Sequence, residues 1–390
     1  MIFNCENGKL TVFLSGRIDS TNAEDTGAEI NGILSQNSHT ETVLDVETLE
    51  YISSAGLRVV LKIRKSEPTL TIVNASSEVY DIFEMTGFTE MIPVSKAYRR
   101  LSVDGCEVIG RGANGEVYRL DADTIIKVYL NPDCLPDIHR ERELARKAFV
   151  MGIPTAIPYD VVKVGNGYGS VFELLNAKSF AKILNEEPER IDEIAELYVD
   201  LLKKIHSTEL KPGDMPDMKA VVLGWAEFLK DHLPADKAQK FLSLVEAVPE
   251  DHHMMHGDYH VKNVMMQNGE VLLIDMDTLC MGNPVFEFAS IYLAYIGYGE
   301  LDHTKVSNFI GIPWETANKL WRDTVKLYFG TDDEEKLSQI ENKARLIGYA
   351  RMMRRSIRRK GLESEEGRAE IEFCKKNICE LLESVESLML

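Results

Sequence analysis

Among the 390 residues no two cysteines stand at CxxC spacing, and no Cys/His group has the intervals of a zinc site, which excludes the common structural-zinc folds. The six cysteines, at 5, 106, 134, 280, 374 and 379, are therefore expected to be reduced packing residues. Positive charge is also short: 44 Lys and Arg against 63 Asp and Glu leave a formal net charge of −19. That balance argues against nucleic-acid binding, because phosphate backbones are held by an excess of Lys and Arg. No apolar run approaches the length of a bilayer span, and no basic start precedes one. Neither a membrane helix nor a signal peptide is expected, and the chain is read as cytoplasmic. With 44% hydrophobic residues it has ample material for two or three cores.

One stretch carries chemistry: Met255-His256-Gly257-Asp258-Tyr259-His260-Val261-Lys262-Asn263, followed by the apolar run Val271-Leu272-Leu273-Ile274 that delivers Asp275. An acid, an amide five positions later and a second acid at the end of a short strand are what metal-assisted phosphoryl transfer requires. Charge spreads over the oxygens of a phosphoryl group in flight, so the protein supplies an orienting base, positive charge and Mg²⁺. Asp258 suits the base, and Asn263 and Asp275 are hard oxygen ligands for Mg²⁺. Asn268-Gly269 marks a tight hairpin turn between the two short apolar runs, which would set the two ligands side by side. A turn before a hairpin accounts for the same residues without chemistry, and the two readings are compatible. Two further residues stay open: Asp277 as a metal helper or a solvated turn acid, and Lys262 as a γ-phosphate contact or a surface lysine.

Upstream, Val108-Ile109-Gly110-Arg111-Gly112-Ala113-Asn114-Gly115-Glu116-Val117 contains GxGxxGxV, a spacing that dinucleotide-binding folds share. Those folds need a helix directly after the glycines. Here Glu116 to Leu120 and Thr124 to Tyr129 alternate instead as two strands around Asp121-Ala122-Asp123. That is the hairpin lid of protein-kinase-like folds, with Gly110, Gly112, Gly115 and Val117 over a nucleotide and Lys127 reaching the ATP phosphates. A helix over Pro136–Met151 offers Glu141 and Glu143 as partners for Lys127. The strand Gly169–Leu174 leads into a hinge whose backbone, from Glu173 to Leu175, would face adenine. Three amphipathic helices follow, over Ile191–His206, Met218–His232 and Lys237–Val248, with His206 read as a packed histidine and not a ligand.

The glycine loop, Lys127, the helix acid, Asp258, Asn263 and Asp275, in that order, resemble the aminoglycoside/choline kinase family of phosphotransferases over about residues 107 to 385. The resemblance implies ATP and Mg²⁺ as cofactors and favours Glu143 over Glu141. Glu287 follows Asp275 by only 12 positions and no Ala-Pro-Glu motif occurs, so there is no room for a peptide-docking activation segment. A small hydroxylated or aminated acceptor is expected.

The first hundred residues read differently. Strands at Leu10–Leu14, Thr42–Asp45 and Thr69–Val73 alternate with helices from Ser20, over Ala55–Lys65 and over Ser77–Met85, a small α/β unit with Gly87 closing its last helix. Asp45-Val46, Tyr51-Ile52-Ser53-Ser54-Ala55-Gly56-Leu57 and Val79-Tyr80-Asp81-Ile82-Phe83-Glu84-Met85-Thr86-Gly87-Phe88 resemble a STAS domain of the anti-sigma-factor antagonist type. In that family a serine at the helix start is a phosphorylation switch for binding an anti-sigma factor or a partner kinase, and the matching position is Ser54. This sequence departs from the commoner pattern in having Ser53 where an acid usually stands and Ala55 after the candidate serine. A helix N-cap explains Ser53 or Ser54 equally well.

The expected architecture is thus an α/β STAS domain over 1–98, then an α+β protein-kinase-like fold with a small β-rich lobe over 107–175 and a large helical lobe over 176–390. The junction Val94–Cys106 lacks proline and any Gly/Ser run, so it is a short connection. The leading expectation is an ATP-dependent phosphotransferase acting on a small hydroxylated molecule under a STAS regulatory module. The alternative is a partner-switching protein whose kinase domain phosphorylates Ser54 or another protein. Arg351, Arg354, Arg355, Arg358, Arg359 and Lys360 form a basic run late in the chain, read as a solvated helix face balanced by Glu363, Glu365 and Glu366, as a guide for an anionic substrate, or as a hold on the first domain's acidic surface.

Overall fold

The computed structural model describes residues 1–112, 115–131 and 134–390, so Ala113 and Asn114 of the glycine motif lie outside the described residues, as do Pro132 and Asp133. Backbone proximity divides the chain into two compact units: residues 1–102 with 162–165, and residues 103–161 with 166–390.

The first unit is a five-stranded sheet in the order β1 (Ile2–Glu6), β2 (Lys9–Ile18), β3 (Glu41–Ile52), β4 (Thr71–Ala75), β5 (Val94–Lys96). β1 runs antiparallel to β2, and the remaining pairs are parallel. Alternation along the strands sends Leu10, Val12 and Leu14, Leu44 and Val46, and Ile72 into one core. There they meet Ile30 and Ile33 of α1 (Ala23–Gln36), Val60 and Ile63 of α2 (Ser54–Ser66), and Val79 and Phe83 of α3 (Ser77–Met85). α3 gives way to Gly87 at φ +75°, the left-handed residue expected there. Two features exceed the sequence reading. β1 was not anticipated, although Asn7 (φ 51°) and Gly8 (φ 79°) form a tight turn that joins it to β2. β3 continues to Ile52 because its second half pairs with the end of β2 after a register shift, Arg17 lying opposite Tyr51.

The second unit opens with an antiparallel ladder of Glu107–Arg111, Gly115–Arg119, Thr124–Tyr129 and Gly167–Glu173. The helix Leu135–Val150 buries Ile138, Glu141, Leu144, Ala145 and Ala148, a stripe at three-to-four spacing. The larger lobe is helical. Its centre is the helix Pro284–Tyr295, buried on every side and flanked by Trp314–Phe329 and Glu334–Arg358. All six cysteines are free; Cys134, Cys280 and Cys374 are buried as expected, whereas Cys5 is exposed on the edge strand. Among the described residues no helix is long and apolar enough to cross a membrane.

Ser53, not Ser54, caps α2: its Oγ accepts from the Gly56 N–H at 3.4 Å. Ser53→Ala should therefore cost about 1 kcal/mol and speed amide exchange in the first turn of α2, while Ser54→Ala, at an exposed position, should leave that exchange unchanged.

Candidate active site

Residues two apart on a strand share a face, so Lys127 and Tyr129 both turn toward the helix Leu135–Val150. Lys127 Nζ donates to Glu141 Oε1 at 2.8 Å, and Tyr129 Oη donates to Glu141 Oε2 at 2.6 Å. The acid that meets Lys127 is thus Glu141, which corrects the preference for Glu143. Glu143 lies two residues on, about 200° around the helix, where it is exposed and pairs with Lys147 at 3.4 Å. The stripe Ile138–Glu141–Ala145–Ala148 defines the inward face, and Glu141 belongs to it. Val117 lies opposite Lys127 in the ladder, on the same face. Gly115 has no room for a side chain, since a Cβ there would meet the Val128 carbonyl oxygen at 2.3 Å. Gly112 N–H donates to Gly115 O at 2.9 Å. Gly110 lies opposite Val117.

Beyond the strand Gly167–Glu173, the Glu173 amide donates to Ile157 O at 3.0 Å and the Leu174 amide to Asp123 O at 2.7 Å. Both are committed, and Leu175 follows them directly.

The stretch from His256 to Asn263 is held from several sides. Glu287, 1% exposed, accepts the backbone N–H of His256 at 2.5 Å and of Gly257 at 3.0 Å. Ser290 Oγ donates to Gly257 O at 2.9 Å, and Arg351 Nη1 donates to the same Oγ at 2.8 Å. Thr278 Oγ1 donates to His256 O at 2.8 Å. Tyr198 and Tyr259 exchange bonds to each other's carbonyls at 3.0 and 2.7 Å, and Val261 N–H donates to Tyr295 Oη at 3.0 Å. Gly257 has φ +80°, and a Cβ on it would meet Thr278 O at 2.5 Å. No other residue fits the turn before Asp258. None of these supports was assigned from sequence.

Asn263 and Asp275 come together across the hairpin. Ile274 N–H donates to Asn263 O at 2.9 Å, and Asn263 Nδ2 donates to Asp258 O at 3.0 Å. The hairpin strands are Val264–Gln267 and Glu270–Leu273, with Asn268 and Gly269 at positive φ as the turn requires. Asp275 adopts φ 64°, ψ 64°, a left-handed conformation that concentrates at functional sites. Its Oδ1 lies 3.2 Å from Lys127 Nζ. His260 Nε2 is 3.5 Å from Asp258 Oδ2. Lys262 Nζ donates to Phe309 O at 2.7 Å. His206 is buried, 2.8 Å from Tyr328 Oη and 3.7 Å from Glu287, a packed histidine as expected.

The electrostatics follow from this crowding. Burial opposes the charge on Lys127, but Glu141, Asp275 and Asp277 outweigh it and hold the ammonium above the usual lysine range. Burial likewise works to raise Asp258, yet His260, Arg351 and His256 hold it below the usual carboxylate range, so it is ionised and able to accept a proton. Asp277 is pushed up to about 7 by burial, then by Asp275, with Glu141 and Asp258 adding to it against the pull of Lys127. A carboxylate held so close to others is what a divalent cation relieves. Among the described residues no three His, Cys, Asp or Glu side chains form a complete metal cage. Mg²⁺ asks for less: one or two protein oxygens, with waters and phosphate oxygens completing its shell. Asn263 and Asp275 fit that donor set.

The profile of the phosphotransferase enzyme family matches residues 105–303, and that of the STAS domain matches residues 3–101. A Bordetella bronchiseptica protein named as an anti-sigma factor antagonist, BtrV, is 36% identical over 95 residues, which span 23% of this chain and 81% of that protein. Solved structures that align with the chain include a thermostable mutant of the aminoglycoside phosphotransferase APH(4)-Ia, with 11% identity, TM-score 0.49 and coverage of 72% of this chain and 94% of that one. A choline/ethanolamine kinase family protein from Mesorhizobium loti has 15% identity, TM-score 0.46 and coverage of 72% and 89%.

Two outcomes test the geometry. Glu141→Ala leaves Lys127 and Tyr129 without their buried acceptor and should cost about 2–3 kcal/mol in urea unfolding followed by tryptophan fluorescence, whereas Glu143→Ala should stay within about 0.5 kcal/mol. A carboxyl whose pKa is raised by folding favours the folded state most at low pH, and that advantage is lost as pH climbs from about 4, the unfolded value, through about 7. Asp277→Asn should therefore raise the melting temperature more at pH 8 than at pH 5. An equal effect at both would remove the assigned cause.

Proposed function

The chain belongs to the phosphotransferase enzyme family and carries a STAS domain ahead of the phosphotransferase unit, and on that premise we propose that it transfers the γ-phosphate of ATP to a hydroxyl group of a small molecule. The observation that carries the reading is the set of contacts that joins Lys127 to Glu141 at 2.8 Å and to Asp275 at 3.2 Å, and Asn263 to the Asp258 carbonyl at 3.0 Å, beside an Asp258 carboxyl held below its usual range. We assign the two lobes of the kinase-like unit to about residues 107–175 and 176–390, with the STAS module before them.

In this reading Lys127 holds phosphate oxygens under the glycine loop, whose Gly110, Gly112 and Gly115 bring backbone close to the nucleotide while Val117 packs against it. The Glu173–Leu175 hinge meets adenine, and with the amides of Glu173 and Leu174 committed, Leu175 is the candidate donor. Mg²⁺, held by Asn263 and Asp275, would neutralise charge on the β- and γ-oxygens. Asp258 accepts the proton of the attacking hydroxyl, with His260 and the Gly257 turn fixing its carboxylate. The path of 12 positions from Asp275 to Glu287 supports a small acceptor over a docked peptide.

One observation favours a second reading. Ser54 is exposed at the first residue of α2, beside the capping Ser53, where a helix N-terminus favours a phosphate. The related anti-sigma factor antagonist lends that position regulatory meaning, with an anti-sigma factor or another protein as partner. Incubation of the full chain with labelled ATP and Mg²⁺, with and without a polar-metabolite pool, separates the two by mass spectrometry. The first reading expects label on a metabolite, reduced about a hundred- to ten-thousandfold by Asp258→Ala; label confined to Ser54 supports the second. ATP turnover that is equal in wild type, Asp258→Ala and Asn263→Ala would overturn both.

A further inference from the structure

We propose that Arg354, Arg355 and Arg358 form an anion subsite for the phosphoryl acceptor, so that the acceptor is a hydroxylated small molecule already bearing a phosphate or carboxylate group. This rests on the acceptor reading above and narrows its chemistry.

Position comes first. On the helix Glu334–Arg358, residues 351, 354, 355 and 358 fall along one stripe at three-to-four spacing. The stripe begins at the catalytic loop, where Arg351 Nη1 reaches Gly257 O at 3.3 Å and Ser290 Oγ at 2.8 Å. One turn on, Arg355 Nη1 donates to Tyr298 Oη at 2.8 Å. The Tyr298 ring packs edge-on to Phe309 at 5.4 Å, and Phe309 packs against His260 at 5.1 Å, the histidine 3.5 Å from Asp258. The arginines therefore extend outward from the proposed base.

Charge comes second. In a chain with net charge −19, Arg351, Arg354, Arg355 and Arg358 make no ion pair among the described residues. Their neighbours on either side do: Arg345 lies 3.8 Å from Glu300, and Lys360 lies 4.0 Å from Glu363. Glu366, which the sequence offered as a counter-charge, is taken by Lys305 at 2.8 Å. Aromatic faces hold the guanidiniums instead. Arg351 lies over Trp225 at 5.9 Å, Arg354 over Phe228 at 5.7 Å and Arg355 over Tyr298 at 5.6 Å. Stacking orients a guanidinium without cancelling its charge, and leaves its N–H edge to fork onto a carboxylate or phosphate. Arg354 Nε is buried without a hydrogen-bond partner, so no acceptor within the fold offsets the charge of this guanidinium at that edge. Like charges three and four apart repel one another. A bound anion relieves that repulsion, whereas an ammonium-bearing acceptor would add to it.

The test measures binding to the full chain by isothermal titration calorimetry, without nucleotide. Glycerol 3-phosphate, glycerate, glycerol and ethanolamine share a hydroxylated skeleton and differ in charge. The expected result is that at least one of the two anions binds more tightly than glycerol or ethanolamine, and that Arg354→Gln/Arg355→Gln weakens it by at least about tenfold. The exposed single variant Arg358→Gln should weaken it less, and Arg322→Gln, remote in sequence and paired with Glu334, should leave it unchanged. The single variant guards against a folding defect in the double one. Ethanolamine binding as tightly as the anions, anion binding indifferent to all three arginines, or silence of both anions would each overturn the proposal. Because no turnover is read, failure of phosphoryl transfer and failure of the anion subsite give separate signatures.

Discussion

A buried carboxylate holds the active loop in shape. Glu287 gives up hydration to accept two consecutive backbone N–H groups, from His256 and Gly257, and a carboxylate hydrogen-bonded in this way is among the stronger polar contacts a protein interior makes. The bonds fix the turn at Gly257, and the turn aims Asp258. Ser290 and Thr278 tie down the carbonyls of the same two residues, so both sides of the peptide backbone are satisfied where water is excluded. The helix that carries Glu287 and Ser290 is buried all round, and its rigidity passes directly to the loop.

The strand and helix around Lys127 rely on a different device. A strand period of two brings Lys127 and Tyr129 onto one face, and a helix stripe brings Glu141 to meet them. Lys127 also reaches Asp275, which the hairpin after Asn263 delivers in a left-handed backbone conformation. Local geometry on four separate elements thus converges on a small volume crowded with acids, and the raised Asp277 records that crowding.

Much of this was legible in the residues. Alternation at Leu10, Val12 and Leu14 announced a strand, and Asn268-Gly269 announced the hairpin that follows Asn263 and leads to Asp275. What escaped is instructive. β1 packs only one side of an edge and is exposed throughout, so it carries no hydrophobic pattern; the Asn7-Gly8 turn was its sole signal. The family resemblance favours Glu143, whereas the buried stripe through Ile138 and Ala145 turns Glu141 inward and leaves Glu143 exposed. Glu287, Ser290 and Arg351 were invisible as loop supports, because their partners are backbone atoms 30 to 94 residues away in sequence. The STAS serine was legible as a position, while the division of labour between the capping Ser53 and the exposed Ser54 needed coordinates.

The most direct test of the central claim uses Mn²⁺ in place of Mg²⁺. Electron paramagnetic resonance titration of Mn²⁺ with the full chain and ATP measures how the protein holds the metal–nucleotide complex. If Asn263 and Asp275 supply the ligands and Lys127 the phosphate contact, wild type should bind the complex, and Asn263→Ala, Asp275→Ala and Lys127→Ala should each weaken it at least about tenfold, while Glu143→Ala should not. Equal binding by wild type and all of these variants would contradict the account.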